Sequence, residues 1–146
     1  MQQALASEGM ALSFWKIAMR PGRPMMHGRL GDMHVLGLPG NPVSAYVCSI
    51  LFLIPLIRRL SGREDVSLQV TRSVLGRDLA ENDEREDYLR AKLELRSDAT
   101  PVATPFPVQD SSMLAPLAQS QCLLIRPAFA PAARAGEPCD IIQLGL

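Results

Sequence analysis

Val35-Leu36-Gly37-Leu38-Pro39-Gly40-Asn41-Pro42-Val43-Ser44 reads as a buried strand, a tight turn and the first turn of a helix. Apolar side chains then recur at 43, 46, 47, 50, 51, 54 and 57, the spacing of one helical face. Asn41 suits the N-cap, because its side-chain oxygen can accept an orphan amide of the first turn. Pro42 suits the first helical position, where no N–H is needed and its φ is already helical. A helix start of this kind faces incoming ligands with free N–H groups and the positive end of the helix dipole, so it can receive an anion or remain simply a capped turn.

Upstream, Gln2 to Gly9 reads as the tail of a helix closed by glycine. Ala11 to Met19 reads as one strand, with Phe14, Lys16, Ala18 and Arg20 on one face. Two cations four residues apart on a strand lie about 13 Å from each other, at about 3.3 Å per residue. That separation suits two anionic groups of one extended ligand, or a basic solvated face. Arg20-Pro21-Gly22-Arg23-Pro24 is a turn, and Gly31-Asp32 is a two-residue hairpin loop between Met25–Leu30 and Met33–Leu38. His27 and His34, the two histidines, have no second ligand at metal spacing and read as strand residues.

Downstream, Pro55 should kink or end the helix, since it leaves the Leu51 carbonyl without its donor. Arg58 and Arg59 complement the dipole at its end. The apolar stretch Ala45–Ile57 falls short of the roughly twenty residues of a membrane span and reads as a buried helix. A boundary falls at Ser61-Gly62-Arg63-Glu64-Asp65, giving units 1–62 and 63–146. Residues 67–74 and 88–95 alternate as half-buried strands do. The five carboxylates between Glu81 and Asp87 read as a solvated loop. Seven of the twelve prolines lie between 101 and 138, breaking the chain into short segments such as 102–103, 122–125 and 141–144. That pattern belongs to a small all-β unit, a barrel or sandwich.

The 146 residues are 47% hydrophobic and 21% charged, a globular composition. Net charge is zero but unevenly divided: six Lys/Arg against two Asp/Glu in residues 1–62, nine against thirteen in 63–146. This is no nucleic-acid footprint, yet the first unit can receive a small anion. No secretory signal opens the chain. Three cysteines without a CxxC pair argue for a reducing compartment, taken as the cytoplasm, and against structural zinc.

Leu36-Gly-Leu-Pro-Gly-Asn-Pro-Val-Ser44 resembles the signature of the MoeA-type molybdopterin molybdenumtransferases, a family that includes the E domain of gephyrin. Phe14-Trp15-Lys16-Ile17-Ala18-Met19-Arg20-Pro21-Gly22-Arg23-Pro24 resembles a second motif of that family, at the matching separation. The likeness is dense over residues 12–62 and thinner towards the C-terminus. It implies part of an α/β molybdopterin-binding domain followed by a C-terminal β domain, with a Ser-Gly-Gly-x-Ser segment and metal-binding carboxylates expected upstream of Gln2.

The family reaction takes molybdate and adenylylated molybdopterin, inserts molybdenum at the dithiolene and releases AMP, with magnesium assisting. The resemblance assigns anion binding to Lys16, Arg20 and Arg23, the last two standing where lysine is common. It adds Pro39, Gly40, Asn41, Pro42 and Ser44 of the turn, Arg90 in a Tyr-x-Arg strand, and Ser111 and Ser112 in a Gln-Gly-Ser-like segment that carries Asp110 for glycine. It assigns no catalytic residue and no metal ligand within this chain. The partners implied are small anions and a second subunit in a full-length homodimer, with no nucleic acid or membrane. A C-terminal portion lacking the upstream segment should not turn over alone. The alternative is a non-catalytic binding module of the gephyrin kind, with a groove near Ile57 and the β domain.

Overall fold

Gly31 takes a φ of +58° and turns the chain between β3 (Met26–Leu30) and β4 (Met33–Gly37), which pair antiparallel from Met26↔Gly37 to Leu30↔Met33. The computed structural model describes residues 2–145. It opens with α1 (Gln2–Ser7), closed by Gly9 at φ +89°, and β1 (Ala11–Trp15), which pairs antiparallel with β3. The resulting three-stranded sheet runs β1-β3-β4.

The single strand expected over 11–19 does not form. Lys16 sits at φ +66°, a conformation uncommon for a residue with a Cβ, and the chain bends there. Its N–H donates to the Met25 carbonyl and that of Ile17 to the Arg23 carbonyl, so the Pro-Gly turn folds back on the bend. The chain then enters a second sheet as β2 (Met19–Arg20). Lys16 and Arg20 therefore share no strand face, and the 13 Å spacing inferred from a continuous strand does not apply.

Asn41 caps α2 (Pro42–Leu60) as its side chain predicts, its Oδ1 accepting from the Val43 amide at 3.1 Å and the Ser44 amide at 3.5 Å. Pro55 neither ends nor breaks this helix. One π turn over Ser49–Leu53, with the Ile54 N–H donating to the Ser49 carbonyl, widens the spiral just before the proline. The added residue relieves the clash that a proline ring meets in an α-helical turn. The helix thus runs 19 residues, long and apolar enough to cross a membrane by length and composition. It is not wholly buried, as the sequence suggested: Val43, Val47, Cys48 and Leu51 are inside, whereas Ile54, Ile57 and Leu60 face outwards.

The second half closes into a five-stranded barrel. Strands β5 (Val70–Leu75), β6 (Glu86–Leu95), β7 (Pro101–Pro105), β8 (Cys122–Arg126) and β9 (Pro138–Gln143) run in the order β6-β7-β5-β9-β8, and β8 pairs back to β6. So small a barrel has room only for compact interior groups. Ala91, Ala103, Cys122 and Cys139 supply them beside Leu75, Leu124 and Ile141. At Gly76, just past β5, a Cβ would lie 1.9 Å from Thr104 Oγ1, so the chain can lie this close to β7 there only as glycine. A short helix α3 (Leu114–Ala118), which the proline-rich sequence hides, leads into β8.

Side chains alternate along a strand, and the outward ones join the two halves. Cys122 and Leu124 point into the barrel; Leu123 and Ile142 pack with Met19, Met25, Val47, Cys48 and Leu51 in one shared core. Strand β2 adds to the barrel sheet, parallel to β6, as Met19↔Glu86 and Arg20↔Asp87. A core that crosses position 62 holds the Pro-Gly turn against the helix. A Cβ on Gly22 would sit 2.5 Å from Cys48 Sγ, at a φ of +117°. Gly22→Ala should therefore cost about 2–4 kcal/mol, from overpacking and backbone strain together. In a Cys48→Ala background the overpacking part should vanish and a loss of about 1–2 kcal/mol remain, as read by urea denaturation of wild type, the two single variants and the double.

Candidate anion-binding cleft

Three loops meet at one open cleft of about 490 Å³. The Pro-Gly turn contributes Arg20 and Arg23, the helix-start turn contributes Pro39, Gly40, Asn41 and Ser44, and the loop after β7 contributes Gln109, Asp110 and Ser111. Arg85, from the acidic stretch before β6, completes the wall. Of the residues assigned from the sequence, Lys16, Pro42, Arg90 and Ser112 do not line it. Lys16 is exposed and lies over the Trp15 ring, Nζ 4.2 Å from the centroid.

The cations differ in how far they are already neutralised. Arg20 pairs with Asp83, and its Nε lies 3.2 Å from Asp87 Oδ1. Arg85 pairs with the same Asp83 at 2.9 Å. Among the described residues Arg23 has no ion-pair partner, and it is exposed. The acidic run is thus not simply solvated. Hydrogen bonds from Arg85, and then Arg20, hold the Asp83 carboxyl well below the usual carboxylate range. Asp87 is only 8% exposed; burial pushes its pKa up, and the Arg20 charge only partly offsets that.

Arg90 lies behind the cleft, 1% exposed, and burial lowers its pKa. One guanidinium N–H donates to the Asp110 carbonyl at 3.3 Å, and its Nε has no partner among the described residues. Asp110 Oδ1 in turn accepts from the Ser112 amide and hydroxyl, each at 2.8 Å. Ser112 is thereby occupied, whereas the neighbouring Ser111 hydroxyl makes no side-chain hydrogen bond among the described residues.

At the helix start, Asn41 already satisfies the Val43 and Ser44 amides, so the donors left to a ligand there are few. The three cysteines are buried, and burial raises Cys48 to about 11 and Cys122 to about 12, so neither offers a thiolate near neutrality. His27 Nε2 and His34 Nδ1 lie 3.0 Å apart across β3 and β4 and satisfy each other. Among the described residues no three His, Cys, Asp or Glu groups could share a metal ion. Asp83 and Asp87, the carboxylates on Arg20, are committed to arginines, so the residues present do not fit magnesium.

Arg85 and Gln109 escape a reading of the sequence for site residues. Arg85 is the one cation within the Glu81–Asp87 run, and Gln109 opens the Gln-Asp-Ser-Ser segment; those were the available signals. A second groove, of about 570 Å³, lies between α2 and the barrel, lined by Tyr46, Ile50, Ile54, Leu68 and Ile142 with Arg58. It is larger and carries the Tyr46 and Thr71 hydroxyls, but Arg58 is the one cation on its wall, against three arginines at the first cleft.

Comparison with known proteins agrees with this architecture. Residues 1–59 match the family model of a probable molybdopterin binding domain. Residues 72–144, half of the chain, match that of the MoeA C-terminal region (domain IV). A molybdopterin molybdenumtransferase of Haemophilus influenzae is 47% identical over 53 residues, covering 36% of this chain and 13% of that protein. The molybdenum cofactor synthesis protein cinnamon of Drosophila melanogaster is 35% identical over 135 residues, 88% of this chain and 22% of that protein. The crystal structure of a molybdopterin biosynthesis moeA protein from Pyrococcus horikosii superposes with a TM-score of 0.77 at 23% identity, over 97% of this chain and 34% of that one, a likeness of fold. The chain thus spans between about an eighth and a third of the length of these relatives. With a family model matched across half its length and its arrangement of a helix-bearing sheet and a closed barrel, the chain belongs to the MoeA family.

Proposed function

We propose that this chain carries the oxyanion-binding cleft of a molybdopterin molybdenumtransferase and serves molybdenum cofactor biosynthesis. The observation that carries this reading is the meeting of Arg23, without an ion-pair partner among the described residues, with the Ser111 hydroxyl in one cleft beside the Leu-Pro-Gly-Asn-Pro turn. Molybdate is a small dianion. A guanidinium presents several donors in a planar fork, which suits such an oxyanion better than a point charge. Serine hydroxyls add neutral donors that fix its orientation. Arg20 and Arg85 are balanced by Asp83 and Asp87, which hold them in place, so the unbalanced positive charge at the cleft is that of Arg23.

In the family reaction every participant is anionic, so aligned cations and hydroxyls at the cleft lower the cost of bringing them together. The chain's own residues hold the anion and leave no carboxylate cluster free for magnesium among the described residues. Insertion of molybdenum with release of AMP belongs, in this proposal, to the longer polypeptide of which these residues correspond to a C-terminal part. The binding-module alternative looks to a groove near Ile57; that residue is exposed but does not line the groove between the helix and the barrel, and nothing in the structure shows what would cover either.

Isothermal titration with molybdate tests the reading. Arg23→Ala should weaken binding by roughly 1.5–3 kcal/mol, the worth of a charge-assisted contact, against about 1 kcal/mol for Ser44→Ala. Lys16→Ala should leave affinity near wild type, since its ammonium rests on Trp15 outside the cleft. The Arg23 variant should also show a flatter dependence on salt. Equal affinity of wild type and Arg23→Ala would rule the assignment out.

Arg20 should behave as a structural clamp as well. Arg20→Ala removes the counter-charge of the buried Asp87 and should cost about 1–2 kcal/mol, less than for a fully buried pair because Arg20 is 43% exposed. Asp87 already titrates above its usual value and would rise further without Arg20. A raised carboxyl pKa means that the folded state takes up the proton more readily than the unfolded one. The deficit of Arg20→Ala should therefore shrink as pH falls through that raised pKa, and Asp87→Asn should restore most of it at neutral pH. A deficit unchanged by pH and by Asp87→Asn would show that the pair is not what holds β2.

A further inference from the structure

We propose that Gln109 is the positioning residue of the cleft: its side-chain amide locks the loop after β7 onto the backbone of Arg90, and so aims Ser111 at the bound anion. The inference rests on the oxyanion reading of the cleft and adds a residue to it.

Strand β7 ends at Pro105, its last pairing on β6 being with Ala91. The Phe106 N–H still donates to the Arg90 carbonyl at 3.0 Å, whereas Pro107 has no N–H to extend the ladder further. The group of β6 left open is the Arg90 N–H. Gln109 supplies its acceptor. Its Oε1 accepts from the Arg90 amide at 2.9 Å, and its Nε2 donates to the Arg90 carbonyl at 3.0 Å and to the Phe106 carbonyl at 2.9 Å. A primary amide has one carbonyl and two N–H groups, so both donors are committed. Gln109 lines the cleft and yet has no N–H left for a ligand.

What the amide fixes is the loop that follows. Arg90 reinforces the lock from the side chain, through its bond to the Asp110 carbonyl, and Asp110 in turn holds Ser112. Ser111, between them, is the hydroxyl not consumed by the loop's own bonds. Without the Gln109 amide, the Arg90 N–H loses its partner in a buried place, and the loop loses its register on β6.

A double-mutant cycle on the whole 146-residue chain, with molybdate as the probe in isothermal titration, tests the role. Gln109→Ala and Ser111→Ala should each weaken binding by about 5- to 10-fold, the worth of one hydrogen bond. The double variant should bind no more weakly than the weaker single, because Gln109 acts through Ser111. Gln109→Met keeps the length of the side chain and removes its three hydrogen bonds without adding charge to the cleft; it should show the same loss, and it stands in if the alanine variant does not fold by circular dichroism. A merely structural glutamine predicts losses that multiply in the double variant, and that result would overturn the proposal. So would wild-type affinity in either Gln109 variant while wild type binds. Failure of the wild-type chain to bind molybdate would overturn the cleft reading itself, and this role with it.

Discussion

Arg90 is a guanidinium taken almost wholly out of water, 1% exposed, with no carboxylate in ion-pair contact among the described residues. Burying a charge is tolerable only when its surroundings are arranged for it. Here the arrangement consists of the Asp110 carbonyl, the nearby Asp110 charge and a backbone pinned by Gln109. The loop after β7 is thereby tied to the middle of β6. The same strand pairs with β7 and β8 and receives β2 at its start, so the cleft inherits its geometry from one strand.

The rest of the fold serves to bring the Pro-Gly turn and the helix start to that strand. Leu123 and Ile142, outward from the barrel, press on Val47 and Leu51 of the helix. Gly22 lets the turn lie directly on Cys48. The Arg20 clamp on Asp83 and Asp87 completes the junction with charge where apolar contact ends. Hydrophobic packing thus fixes how near the turn lies, and electrostatics fixes which way it faces.

Much of this was legible in the sequence because it is local. The Asn41 cap, the Gly31-Asp32 hairpin and the alternating strands each follow from a few adjacent residues. The proline-punctuated tail announced a small β unit, and the structure shows that it closes as a barrel. What was not legible depends on contacts distant in the chain. The break at Lys16 comes from hydrogen bonds to Arg23 and Met25, which override a pattern that suits one strand. The acidic stretch looks solvated until Arg20 is brought to Asp83, 63 residues away. Pro55 looks like a helix breaker until a π turn absorbs it. Arg90 was visible as a motif residue, but only the fold shows that it stands behind the cleft wall.

The central claim is that an oxyanion sits between the Pro-Gly turn and the loop that Gln109 holds. Crystals of the chain grown with molybdate, measured at the molybdenum absorption edge, locate the metal directly by its anomalous signal. One dominant peak is expected in the cleft, with oxygens within hydrogen-bond reach of the Arg23 guanidinium and the Ser111 hydroxyl. A cleft without a peak, or a dominant peak at Lys16 or in the groove beside Arg58, would contradict it.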